Sequence, residues 1–229
     1  MKNCFSELKE LILEQFFPVT CPFCGKVISF RLSTCESCGK DLEFLNGVCG
    51  RCSKSVCVCE RLVVLERVFA PFSYDGAVEQ AIHRFKFQNH PEYAKVLAGY
   101  IVKCFGTNQL TEEFDCIVPV PMEKAHRRER GYNQAEELAL ALGDLCGLPV
   151  LSDALRKIKK TPPQHLLSYK ERLENLKDVF DVGSTLPKGK RVLLCDDVCT
   201  TGVTMETCAA LLKENGVLSV SGVVVASTQ

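Results

Sequence analysis

Residues 192–205 read VLLCDDVCTTGVTM. A short apolar run stops abruptly at two adjacent acids, Asp196 and Asp197, and Thr200-Thr201-Gly202-Val203-Thr204 then opens a helical pattern that runs to Gly216. A continuous apolar run of this length is the mark of a strand buried on both faces. The turn after it has donors suited to a phosphate dianion: the backbone amides of Cys199 to Thr204, the following helix N-terminus and the threonine hydroxyls. Gly202 allows close approach of the backbone. Two neighbouring carboxylates do not bind the same anion, so they face either sugar hydroxyls, as acceptors, or a divalent cation. Phosphate on one side and a vicinal diol on the other describe a ribose 5-phosphate. No Lys follows the glycine, which excludes a P-loop, and GxGxxG is absent.

Working outward, the same strand-then-helix alternation recurs. Residues 62–70 alternate like a strand, 76–88 and 91–105 read as helices, and Cys116 to Val120 is a buried strand. Residues 131–146 form a helix closed by Gly147, and 217–227 a last strand. Strands alternating with helices predict an α/β fold with a mostly parallel sheet flanked by helices on both faces. Between Leu155 and Phe180 the chain is polar and basic, too long for a simple crossover, and such segments are commonly functional.

The chain has 229 residues with 28 Lys and Arg against 28 Asp and Glu, so any anion site is local and not a global field. Residues 1–17 place Phe5, Leu8, Ile12 and Phe16 at helical spacing among acids, which predicts an amphipathic helix and not a signal peptide. No run reaches the ~18 apolar residues of a membrane span, and a cytoplasmic location is expected. Of 15 cysteines, eight lie between Cys21 and Cys59. In a reducing compartment such clustering argues for metal over disulfides. Cys21-Pro-Phe-Cys24 and Cys35-Glu-Ser-Cys38 are CxxC pairs ten residues apart, each followed by glycine. Their four thiolates suit a tetrahedral, structural Zn²⁺. Cys49, Cys52, Cys57 and Cys59 are candidates for a second ion, giving one or two in all. The expected division is a helix and zinc-binding segment over 1–60 and an α/β domain over 61–229.

The strand, acid pair and TTGxT turn resemble the type I phosphoribosyltransferase family, and PVPMEKAHRRERGYNQAEELA (119–139), the 156–180 segment and the cysteine pairs together resemble the ComF family of competence-associated, phosphoribosyltransferase-like proteins. The resemblance implies a type I phosphoribosyltransferase fold with a small N-terminal zinc ribbon, binding of phosphoribosyl pyrophosphate (PRPP) with Mg²⁺, and a part in natural transformation. It places Asp196 and Asp197 on the ribose diol, Cys199, Thr200, Thr201, Gly202, Val203 and Thr204 around the 5-phosphate, and Val120, Pro121, Met122 and Glu123 against the pyrophosphate. Cys199 is a departure, since many relatives carry an aliphatic or acidic residue there.

Arg127 and Arg130, in a cluster with Lys124, His126 and Arg128, are the candidates for meeting a departing pyrophosphate through bidentate contacts. The plain alternative is a solvated helix start paired with Glu123 and Glu129. Arg156, Lys157, Lys159 and Lys160, with Thr161, Gln164 and Arg172, stand where the hood over the acceptor is expected. Lys86, in HRFKF (83–87), lies on a helix whose Phe85 and Phe87 read first as core and second as base-stacking platforms. No general base is evident; His126, His165 and Glu206 are candidates without geometry. Three functions remain: a ComF-type protein handling single-stranded DNA beside the DNA-uptake machinery, a salvage or biosynthetic phosphoribosyltransferase releasing pyrophosphate, and a non-enzymatic DNA-binding adaptor regulated by PRPP.

Overall fold

The computed structural model describes residues 18–29, 31–45, 63–159 and 178–228. The expected N-terminal helix, Cys49, Cys52, Cys57, Cys59, Lys160, Thr161, Gln164, His165 and Arg172 lie outside the described residues.

The chain opens with β1 (Val19–Thr20), paired antiparallel with β2 (Val27–Ile28), and the short helix α1 (Glu36–Asp41). This small unit sits on the main domain through aromatic side chains. Phe23 meets Tyr100 edge-on at 5.6 Å, Phe44 stacks on Phe72 at 5.1 Å, and the hydroxyls of Thr20 and Tyr93 are hydrogen-bonded.

There follow β3 (Val68–Phe69), β4 (Phe72–Ser73), α2 (Gly76–Phe87), α3 (Tyr93–Phe105) and α4 (Thr107–Glu113). Next come β5 (Cys116–Pro119), α5 (Lys124–Arg130), α6 (Gln134–Cys146), β6 (Leu155–Lys157) and β7 (Phe180–Val182). Last are β8 (Arg191–Cys195), β9 (Val198–Cys199), α7 (Val203–Glu214), β10 (Ser219–Val223) and β11 (Ala226–Ser227).

The central sheet is parallel throughout, in the order β3-β10-β8-β5, as the sequence pattern predicts. Its faces alternate along each strand. Leu193 and Cys195 of β8 join the core under α3 and α6, whereas Val192 and Leu194 join the core under α7. The strands then bend in step and continue as β4-β11-β9. Bonds from the Asp196 amide to the Val223 carbonyl and from the Val225 amide to the Asp197 carbonyl carry the ladder across the bend. The single last strand expected over 217–227 is thus two pieces, and only 68–69 of the strand expected over 62–70 enters the sheet.

The helix expected over 131–146 is present but starts at Gln134: Gly131 ends the preceding α5 with φ +86° and Asn133 caps α6, its side-chain oxygen accepting the Ala135 amide at 3.2 Å. The two described ends of the 155–180 segment come together, β6 pairing antiparallel with β7.

Candidate functional site

Of the helices after β5, α6 packs on one face of the sheet, and α7, after β8 and β9, packs on the other. The carboxyl ends of these neighbouring strands, whose helices lie on opposite faces, are the usual ligand position in an open α/β sheet. The candidate residues converge there. Register holds Pro119 level with Cys195, and the Val120 amide donates to the Cys195 carbonyl, so the 120–123 loop starts beside the acid pair.

Asp196 and Asp197 sit at the bend of the sheet, with Asp197 only 8% exposed. Their environments differ. Burial, reinforced by the neighbouring Asp197 carboxylate, pushes Asp196 up to about 7, and its Oδ1 accepts the Asp197 amide at 2.9 Å. Asp197 faces a cation: Lys86 Nζ, on the last turn of α2, lies 3.0 Å from its Oδ1. Burial opposes charge on Lys86, but the Asp197 carboxylate outweighs it and the lysine pKa rises. The acid pair is thus unequal, one member an ion-paired carboxylate and the other close to neutrality.

Beyond β9 the Thr-Gly turn enters α7 through Gly202, at φ +74°, a left-handed conformation that L side chains rarely adopt. First-turn amides of a helix have no partner within it, and α7 starts just after β9. Thr228 braces the turn, its amide bonded to the Cys199 carbonyl and its hydroxyl to that of Thr200. Burial raises the thiol pKa of Cys199 to about 12 and raises those of Cys195 and Cys208, so these groups are neutral packing residues.

On the other loop, Asn133 Nδ2 holds the Val120 carbonyl at 3.2 Å while the same side chain caps α6. Val120 is buried, and Pro121 and Met122 are partly exposed. Both candidate arginines already have protein partners. Arg127 is 2.9 Å from Glu136. Arg130 lies over the Phe87 ring at 4.7 Å and donates to Gln134. A cavity of about 660 Å³ borders the 119–122 loop and β6, lined by Lys124, Arg127, Arg156 and Lys157 among others. Its lining does not include the acid pair.

Three side chains take places the sequence did not assign. Lys86 is the counter-ion of Asp197, and Asn133 fastens the loop after β5 at Val120. Phe87 is 57% exposed, not core, while Phe85 is fully buried. Glu206 is removed as a base, because its carboxylate accepts the amides of Val63, Val64 and Leu65. Glu206→Ala is accordingly expected to lower stability by about 1–2 kcal/mol, seen as a lower Tm, with ligand affinity at the crevice unchanged.

Away from the crevice, the sulfurs of Cys21, Cys24, Cys35 and Cys38 lie within 4.8 Å of one another. Four thiolates around a tetrahedral Zn²⁺ at ~2.3 Å need spacings of roughly 3.8 Å, and the Cys24–Cys35 pair is at 3.6 Å. The group can hold a metal ion. No helix among the described residues is long and apolar enough to cross a membrane.

The family model described as the phosphoribosyl transferase domain matches residues 85–229. Competence protein F of Haemophilus influenzae is 32% identical over 163 residues, 69% of each chain. The DNA utilization protein YhgH of Escherichia coli K12 is 31% identical over 159 residues, 68% of this chain and 69% of that one. Competence protein ComFC of Bacillus subtilis is 28% identical over 146 residues, 63% and 57% of the two chains. Joined to a parallel sheet with an acid pair and a TTGxT turn at its carboxyl edge, these matches place the chain in the ComF family, with residues 85–229 as its phosphoribosyltransferase domain.

Proposed function

We propose that this ComF-family chain binds PRPP with Mg²⁺ in the crevice between the ends of β5 and β8, and that it serves the handling of incoming single-stranded DNA in natural transformation. The observation that carries the reading is the meeting, at one switch point, of carboxylates on one side and a Thr-Gly turn on a helix N-terminus on the other. Asp196 and Asp197 accept from the ribose diol. Amides and hydroxyls of residues 199–204 hold the 5-phosphate, with the negative ligand favoured by the α7 dipole. Mg²⁺, when bound with the ligand, would supply positive charge to offset the phosphates, with Asp196 and Asp197 the carboxylates nearest to hold it.

Val120, Pro121 and Met122 line the pyrophosphate side. Proline has no amide to donate, so charge there comes from Arg127 and Arg130, which exchange Glu136 and Phe87 for phosphate oxygens. The Cys21, Cys24, Cys35 and Cys38 group holds a structural Zn²⁺ that replaces the core so short a segment cannot build. The DNA role rests on the names of the relatives, Competence protein F and DNA utilization protein. It suits a cytoplasmic protein meeting the DNA-uptake machinery, with Arg156 and Lys159 at the start of the basic segment. Isothermal titration of the full chain with PRPP and Mg²⁺ tests the site. One saturable site per chain is expected, and absence of binding at millimolar PRPP contradicts the reading.

A further inference from the structure

Four consecutive residues at the end of α2, Arg84-Phe85-Lys86-Phe87, each touch a different part of the molecule. Arg84 Nη1 donates to the carbonyls of Pro22 and Phe23, at 3.1 and 2.9 Å, inside the Cys21–Cys24 turn. The Phe85 carbonyl accepts the Tyr132 hydroxyl, and the two rings lie 5.7 Å apart. Lys86 meets Asp197 at 3.0 Å, and Phe87 lies under Arg130. Successive helical residues turn by 100°, so Arg84 and Lys86 leave the helix about 200° apart, one toward the cysteine group and the other toward the acid pair. The same turn is therefore clamped from both sides. Its two phenylalanines reach the end of α5 and the turn after it, at Arg130 and Tyr132.

We propose that this turn couples the two sites: the Cys21–Cys24 loop, closed round its metal, fixes Arg84 and through it the position of Lys86, so that loss of metal weakens phosphoribosyl binding at Asp196 and Asp197. The inference rests on the reading that PRPP binds at the acid pair, and it assigns that site a control. The carbonyls that Arg84 grips belong to the metal loop, whose backbone is set by the four sulfurs; with the metal gone the loop relaxes and Arg84 loses its acceptors. Lys86, two residues on, then no longer stands where it balances Asp197. Coupling of this kind is reciprocal, so PRPP must in turn help the chain retain its metal.

Two measurements on the full chain test it. Arg84→Gln, with zinc content and Tm checked, is expected to bind PRPP at least about fivefold more weakly, the lower end of typical coupling, and Arg84→Lys to recover part of the loss. Saturating PRPP is expected to slow zinc transfer from the wild-type chain to a chelating dye. The double variant Asp196→Asn, Asp197→Asn in the same PRPP solution shows no such protection, which separates the effect from chelation by PRPP itself. Wild-type affinity in Arg84→Gln overturns the coupling, as does equal zinc retention with and without PRPP. If Arg84→Gln does not fold, the zinc-transfer experiment decides alone. A wild-type chain that binds no PRPP overturns the site reading and the coupling with it, and is distinguished from failure of the coupling by that control.

Discussion

Asp196→Asn is expected to raise the thermal stability of the chain at pH 8 while lowering PRPP affinity by about 10- to 100-fold. Both effects follow from one placement. The Asp196 carboxyl is held at the bend of the sheet, where burial and then Asp197 raise its pKa to about 7 from an ordinary value of 3.8. A carboxyl whose folded pKa is raised binds more protons in the folded than in the unfolded chain. Stability is then lost as pH climbs from about 4 to about 7, and the full penalty is present above that window. Asparagine keeps an oxygen for the Asp197 amide and carries no charge, so the penalty disappears. The gain is at most about 4 kcal/mol, or roughly 8–16 °C in Tm for a chain of this size, and it vanishes near pH 4, where wild type and variant converge. The loss of affinity reflects charged hydrogen bonds to the diol, each of ~1.5–3 kcal/mol. Calorimetric scans at pH 4 and pH 8 beside a PRPP titration check both halves. Asp197→Asn is expected to act oppositely on stability, because it strands the Lys86 ammonium without its partner.

Cys24→Ser is expected to release the metal and unfold residues 18–45. With one thiolate gone the tetrahedral set is incomplete, and structural zinc contributes on the order of 10 kcal/mol to segments that have little core of their own. Within this segment few large side chains are fully buried, Phe23 foremost, and its hold on the main domain comes from the aromatic contacts of Phe23 and Phe44 with Phe72 and Tyr100, the Thr20–Tyr93 hydrogen bond and the Arg84 clamp. Zinc content near zero, with hydrogen exchange becoming fast across 18–45, is the expected result. A full complement of zinc in the variant contradicts the four-sulfur assignment. The central sheet is expected to persist, because its two cores draw on β5, β8, β10, α3, α6 and α7.

What the sequence made legible was what depends on local pattern. The run 191–195 could be read as a doubly buried strand because all its core positions are apolar, and the 76–87 helix because of its periodicity. The acid pair and Thr-Gly turn announced a ligand because no packing need explains two adjacent carboxylates at a strand end. Contacts distant in sequence were hidden. Lys86 and Asp197 are 111 positions apart, and nothing in HRFKF distinguishes a lysine bound for an acid pair from one bound for solvent. Glu206 read as a possible base because its three amide partners lie more than 140 positions earlier. The break of the last strand escaped notice since Val224 and Val225 are as apolar as the strand on either side; the bend is set by the adjacent strands through the Phe69 and Asp197 carbonyls. The division of the 124–146 region was legible in principle, as Gly131 and Asn133 are ordinary stop and cap residues.

A crystal grown or soaked with PRPP and Mg²⁺ addresses the ligand site most directly. The expected density has the sugar hydroxyls on Asp196 and Asp197 and the 5-phosphate on the amides of residues 199–204. Density lodged only in the cavity between Lys124 and Arg156, with the turn empty, contradicts it.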